Sequence, residues 1–330
     1  MRDFKQEVAA LEGPICVLGA TGFVGAFLGL ELLKYRADVV LAVRDQPGWR
    51  LANVPERHLA KVDLLDPQGM AETLRALKPQ TVFDCTSFGA YSFETDAEKI
   101  YATNFEGARN LVQILNETGL KAYIHAGSSS EYGTLSAAPS EDSSCEPQSD
   151  YAVSKCAIAS YLHFVGKHRG FPCANLRLYA VYGPLEDTSR LIPQLLLNVA
   201  KGQLPPFAHP ETSRDFVHVA DVAAAFVAAA VRMSDAVRGE NFNIGTGTKT
   251  TLRDLAAWAA DAHGIDGEPS FDEGRGRDWD LADWYANPAK AQAVLGWSAE
   301  IGLAEGLADT MKWIASLDGV DPARTTKRQL

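Results

Sequence analysis

The chain has 330 residues, 46% of them hydrophobic and 22% charged, which is ordinary globular composition and excludes disordered, collagen-like and coiled-coil classes. Thirty-one basic against 42 acidic residues give a net charge of −11, which argues against a nucleic-acid or anionic-membrane surface. An anionic small molecule held by a few local arginines stays open.

The N-terminus, MRDFKQEVAALEGP, lacks the apolar core of a signal peptide, and no apolar run reaches the roughly 18 residues of a membrane span. A cytoplasmic protein is expected. Strands are predicted at Ile15–Leu18, Val39–Val43, Arg57–Val62, Thr81–Cys85, Ala122–Ala126 and Ala174–Tyr179, with helical patterns near 23–35, 68–77, 97–118 and 150–169. This alternation predicts an α/β fold, a doubly wound parallel sheet of Rossmann type over residues 1–184. The Ser-, Pro- and acid-rich stretch 136–150 reads as a long surface loop. After residue 185 the rhythm breaks into helical patterns at 190–202, 219–232, 251–263, 288–295 and 303–317, with a short strand at Phe242–Ile244. Residues 185–330 are therefore expected to form mainly a smaller mixed α/β substrate lobe, with some chain returning to the sheet domain. Five scattered cysteines without a CxxC pair encode neither a disulfide framework nor a zinc site.

The first strand runs into Gly19-Ala-Thr21-Gly22-Phe23-Val24-Gly25. Gly19 permits a tight turn, Gly22 lets a pyrophosphate approach the backbone, and Gly25 lets the following helix sit close to the sheet. A merely tight turn is the bland alternative, made weaker by the position on the first strand–turn–helix. At the tip of the second strand, where an NAD enzyme usually carries an acid, stands Arg44, followed by Asp45. A guanidinium there covers a 2′-phosphate, so NADP(H) is favoured over NAD(H). Asp63 and Leu64 follow the third strand, placed to meet an adenine; capping of the next helix explains Asp63 equally well on spacing.

Tyr151-Ala-Val-Ser-Lys155 puts a phenol and an ammonium one helical turn apart. A nearby cation favours the phenolate, which can take a proton from a hydroxyl and return it. Gly127-Ser128-Ser129-Ser130-Glu131-Tyr132-Gly133 follows the fifth strand, at the sheet edge where such folds bind ligands. His125 and His218, in apolar strand-like contexts, read as satisfied core histidines. Asp278, Asp280 and Asp283 read as a solvated acidic loop rather than a metal site, and no metal is expected.

GATGFVG, GSSSEYG, YAVSK and LRLYAVYGP, in this order, resemble the extended short-chain dehydrogenase/reductases. SRDFVHVADVAAA, FNIGTG and WYANPAKAQAVLGW are similar to the nucleotide-sugar epimerase/dehydratase/reductase branch. The resemblance covers about residues 14–300. It implies Tyr151 as acid/base, Lys155 on the nicotinamide ribose, and Ser128 as the hydroxyl partner, with Ser129 as the fallback. It also implies Asn104 near the cofactor, Arg214 and Arg277 on a substrate diphosphate, and a homodimer. Ser129 and Ser130 stand where the family's 4,6-dehydratases carry acidic residues, which disfavours a dehydratase; Ala180 departs from an asparagine common in several epimerases and dehydratases. The expectation is an NAD(P)-dependent enzyme acting at C4 of a nucleoside-diphosphate sugar, as a ketoreductase or epimerase, with Arg44 favouring the ketoreductase. Rival readings are a reductase of a non-nucleotide carbonyl and a non-catalytic dinucleotide-binding protein.

Overall fold

The computed structural model describes residues 3–266, 269–272 and 281–317. Asp3 caps a short first helix, α1 (Phe4–Ala9), which the apolar patterning of the N-terminus did not flag. The alternating section follows: β1 (Ile15–Leu18), α2 (Phe23–Leu33), β2 (Val39–Val43), β3 (Leu59–Lys61), α3 (Pro67–Leu77) and β4 (Thr81–Asp84). Next come α4 (Ala97–Tyr101), α5 (Ala108–Asn116), β5 (Ala122–Ser128), α6 (Asp150–Arg169) and β6 (Cys173–Leu178). The predicted helix at 97–118 is thus divided, because residues 102–107 between α4 and α5 form a π-helical turn. Such bulges cluster at functional sites.

Every residue of β1 and β4 is buried. Helices cover both faces of a parallel sheet, so its central strands are buried along their whole length rather than on alternate residues. The second half of the chain supplies β7 (Ala180–Tyr182), α7 (Leu191–Val199), β8 (Ser213–Arg214), β9 (Phe216–His218), α8 (Val219–Val231) and β10 (Glu240–Ile244). It continues with β11 (Thr250–Thr251), α9 (Leu252–His263), α10 (Ala289–Leu295) and α11 (Leu303–Ser316). The main sheet has seven strands in the order β3-β2-β1-β4-β5-β6-β10, every neighbouring pair parallel. Chain direction across the sheet reverses between β1 and β4, the switch point at which open α/β sheets bind ligands.

Part of the chain after residue 185 returns to this sheet. β10 pairs with β6, and the alanine-rich α8 is buried against the same core as α2. A helix that is apolar nearly all round belongs inside. α10 also packs on the main core through Ala291 and Leu295, while α7, α9 and α11 gather round a separate core of Ile192, Leu195, Phe207, Leu255 and Leu307. No helix among the described residues is long and apolar enough to cross a membrane.

Candidate active site

The glycine turn is dictated by close backbone contact. Gly19 has φ +69°, and a Cβ there would lie 2.5 Å from the Cys85 carbonyl at the end of β4. A Cβ on Gly25 would collide with the Gly19 carbonyl, so α2 can start this close to β1 only with glycine at both positions. Gly22 is the N-cap of α2 and makes no side-chain cap. The first-turn N–H groups, including those of Phe23, Val24 and Gly25, have no acceptor within the helix and form a natural seat for an anion. Thr21 contributes its carbonyl, which accepts from Arg50 Nη1 at 3.2 Å.

Arg50 is one of the residues that sequence patterning missed. Its Nε donates to the Leu185 carbonyl at 2.7 Å, so it latches the loop after β7 to the glycine turn. In that loop the Glu186 carboxyl is buried, with Oε2 unpartnered, and burial pushes its pKa up to about 8 despite nearby Arg190. A carboxyl whose folded pKa lies above its unfolded value of about 4.3 stabilises the fold below that value and loses the contribution as pH rises to about 8. Glu186→Gln is therefore expected to remove a loss on the order of 3 kcal/mol between pH 6 and 9, measured by denaturant unfolding at both pH values. An unchanged slope in the variant would show that Glu186 is ionised throughout.

Arg44 and Asp45 stand just past β2, both exposed and paired with each other at 3.2 Å. Asp63 does not cap α3: its Oδ1 accepts the Leu65 N–H at 3.0 Å, while Asp66 is the cap and accepts from Gly69 N at 3.1 Å. An Asx-type turn two residues on uses the carboxylate that spacing had offered to the helix. The Leu64 side chain lies in the core beneath Gly107.

Tyr151 lies in the first turn of α6, across from Gly89 in the loop after β4. Lys155 lies one turn further on and is 1% exposed, its Nζ donating to the Ala126 carbonyl at 2.9 Å. A second group meets it there. His125 Nε2 is 3.5 Å from Lys155 Nζ, and His125 Nδ1 is 3.1 Å from Asp84 Oδ2, which also accepts from Tyr123 Oη at 2.6 Å. Burial alone would raise the Asp84 pKa, but hydrogen bonds from His125, Thr86 and Tyr123 hold it well below the usual carboxylate range. Burial and the Lys155 charge lower the His125 pKa. A neutral imidazole therefore donates from Nδ1 to Asp84 and presents its Nε2 lone pair to the ammonium. His125 is a satisfied core histidine that also anchors Lys155. His218 caps α8 through its Nδ1, which accepts from Ala220 N at 3.3 Å.

Both amide groups of Asn104 are engaged. Oδ1 accepts from Phe88 N at 2.9 Å, and Nδ2 donates to the Phe88 carbonyl at 2.8 Å and to Ser154 Oγ at 3.0 Å. Asn104 thus clamps the loop after β4 to α6 in the turn between Tyr151 and Lys155.

The three serines after β5 have different surroundings. Ser128 caps a single 3-10 turn, accepting from Ser130 N at 3.2 Å, and its hydroxyl is 2.8 Å from that of Ser130. Ser129 is buried and its Oγ accepts from Trp284 Nε1 at 3.0 Å. Glu131 completes the cap through Ser128 N at 3.0 Å and pairs with Arg177 Nε at 2.8 Å. Its carboxylate is wholly buried and fully used. Arg177 Nη1 also donates to Tyr132 Oη at 2.7 Å and to the Glu141 carbonyl at 3.1 Å. The stretch 136–150 is accordingly a pinned loop, held further by Asn243 N donating to Glu141 Oε1 at 2.8 Å.

Asp215, which sequence patterning passed over, ties three separate segments together. Its buried carboxylate accepts from Thr246 N and Gly247 N at 2.8 Å each and from Ala286 N at 3.0 Å. Membership in the SRDFVHV segment was the available signal. Arg214 next to it stacks over the Trp284 ring, 5.0 Å from its centroid, on the indole that bonds Ser129. Arg277, Asp278 and Asp280 lie outside the described residues; Asp283 pairs with Lys249 at 2.7 Å.

The family model described as "NAD dependent epimerase/dehydratase family" matches residues 15–245. UDP-glucose 4-epimerase from Mycolicibacterium smegmatis is 31% identical over 312 residues, which span 90% of this chain and 97% of that protein. The crystal structure of UDP-glucose 4-epimerase with UDP-glucose from Thermotoga maritima superposes with a TM-score of 0.82 at 25% identity, covering 92% of this chain and 98% of the other. The Thermus thermophilus UDP-glucose 4-epimerase complex with NAD gives a TM-score of 0.77 at 26% identity, covering 91% and 98%.

Proposed function

The chain belongs to the NAD dependent epimerase/dehydratase family, and on that premise we propose that it carries out NAD(P)-dependent oxidoreduction at C4 of a nucleoside-diphosphate sugar, as a UDP-sugar 4-epimerase. One observation carries the reading: Tyr151 and Lys155 lie a turn apart on α6, close to the ends of β4 and β5 at the edge where the glycine turn follows β1. Glu131, the acid nearest Ser128 in sequence, is consumed by a cap and by Arg177, so it is not available for the acid–base work of a dehydration. The sugar-4-epimerase names and the UDP-glucose complex among similar proteins support the substrate class.

A bound dinucleotide would supply the hydride acceptor, and then the hydride donor, at C4. The cradle fits such a group, because the close approach of Gly19 and Gly25 leaves the start of α2 open to a pyrophosphate. Gly19, Thr21, Gly22, Phe23, Val24 and Gly25 hold the phosphates, and Lys155 holds the nicotinamide ribose. Asp63 and the Leu64 backbone border the adenine, and Asn104 acts through the Phe88 loop. Tyr151 takes the C4 hydroxyl proton and gives it back, with Ser128 orienting that hydroxyl. Ser128 is preferred to Ser129, whose oxygen is already held by Trp284. Arg214 and Arg277 neutralise the diphosphate, and most elements after residue 185 form the lobe that carries it. We place a second copy against the outward face of α6, where Val153 and Phe164 are exposed.

The test is incubation of the purified protein with UDP-glucose and catalytic dinucleotide. The expected result is interconversion with the C4 epimer and no net change in reduced nicotinamide. Stoichiometric oxidation of NADPH by a 4-keto nucleotide sugar would instead establish the ketoreductase, the reading that Arg44 favours. Arg44 also carries the finer cofactor assignment. Its exposed guanidinium at the tip of β2 suits a 2′-phosphate, so Arg44→Ala is expected to weaken NADPH binding about tenfold and NADH binding little. Equal losses, or a wild-type preference for NADH, would move the ribose contact to Asp45.

A further inference from the structure

Cys145, in the pinned loop, and Cys156, which directly follows Lys155 on α6, are eleven positions apart in sequence yet meet in the fold. Their sulfurs and a Glu131 carboxylate oxygen all lie within 4.8 Å of one another. Cys156 Sγ is 3.5 Å from the Glu131 carbonyl, and Arg177 Nη2 is 3.5 Å from Cys145 Sγ. Both cysteines are half-buried, whereas Cys16 and Cys173 are fully buried. Two thiols and a carboxylate could in principle hold a metal. Here the Arg177 guanidinium already bridges the carboxylate and the Cys145 sulfur, so a positive charge is in place before any cation arrives.

We propose that Cys145 and Cys156 form a reactive dithiol that peroxides oxidise to a reversible disulfide, tying the loop to the catalytic helix beside Lys155. The surroundings divide the labour between the two sulfurs. A hydrogen bond from Cys156 and the Arg177 guanidinium 3.5 Å away lower the Cys145 thiol below its usual range, while Cys156 keeps its proton. Burial raises Cys16 and Cys173 to about 12, and Cys85 higher still, so those three are poor nucleophiles at neutral pH.

The chemistry balances with a peroxide as oxidant. The Cys145 thiolate attacks one peroxide oxygen, the O–O bond breaks, and hydroxide leaves to become water on protonation. Cys145 is then a sulfenic acid. Cys156 gives up its proton, its sulfur attacks that of Cys145, and the S–O bond breaks to release the second water. Two thiols have lost two electrons, and one hydrogen peroxide has become two waters.

The experiment treats the fully reduced chain with a few equivalents of hydrogen peroxide, followed by non-reducing peptide mapping by mass spectrometry. The expected product is a Cys145–Cys156 cross-linked peptide, lighter by two hydrogens and restored by dithiothreitol. It should form at least about tenfold faster than any oxidation of Cys16, Cys85 or Cys173. Cys156→Ser should stop at a Cys145 sulfenic acid that dimedone traps, and Cys145→Ser should leave Cys156 unmodified. Sulfinic acid at Cys145 with Cys156 still a free thiol in the wild-type chain would overturn the proposal. So would stoichiometric Zn²⁺ binding by the reduced chain that Cys145→Ser abolishes. These readouts follow thiols rather than turnover, so their failure is distinct from failure of the epimerase reading.

Discussion

Tyr151→Phe is expected to lower turnover by about two to four orders of magnitude while leaving dinucleotide binding and melting temperature close to those of the parent. The substitution removes one oxygen from a partly exposed side chain in the first turn of α6 and leaves the ring in place. The groups that build the surroundings are untouched: Lys155 keeps its bond to Ala126, and Asn104 keeps the Phe88 loop. What disappears is the proton carrier. Steady-state kinetics together with cofactor titration check the result. Turnover within a factor of a few of the parent would remove Tyr151 from the mechanism, whatever the fold. A matching loss of cofactor binding would show that the ring does structural work instead.

Arg177→Leu is expected to destabilise the fold by about 3–5 kcal/mol, because it leaves the Glu131 carboxylate buried with its cationic partner gone. The Glu131 side chain is fully buried and that of Arg177 is 5% exposed, so water cannot take over. The loop also loses the bond from Arg177 to the Glu141 carbonyl. Adding Glu131→Gln should recover a large part of the loss. The amide oxygen can still accept from Ser128 N and keep the cap, while the unpaired charge is gone. Denaturant melts of the parent, the single variants and the double variant measure the coupling. Additive single effects would show that the pair contributes nothing beyond its separate contacts.

Local features were the easiest to recover from the residues alone. Buried parallel strands are apolar runs with glycine or proline breakers, so β1, β2 and β4 could be placed almost to the residue. The glycines at 19, 22 and 25 carry their meaning in their spacing, since each answers a steric demand of one strand–turn–helix. Tyr151 and Lys155 were visible for the same reason, because a four-residue interval fixes two side chains on one helix face. The short pieces β7, β8, β9 and β11 were not placed, as two or three residues hold no period to recognise. The π-helical turn at 102–107 also has no apolar signature, although Asn104 inside it was found by motif.

By itself, then, the sequence determined whatever depends on neighbours along the chain: the strand–helix alternation, the anion-seating turn, the Tyr-Lys pair and the likeness to one enzyme family. Tertiary structure alone decided the pairings between distant residues. It spent Glu131 on Arg177, 46 positions away, and drew the Asp84–His125 pair up behind Lys155. It also gathered the backbone of FNIGTG and of the 284–297 segment onto the Asp215 carboxylate, and brought Cys145 against Cys156. The physical reason is the same in each case. Most polar groups taken out of water find a partner, and which partner it is depends on what the fold carries past them rather than on any interval in the sequence.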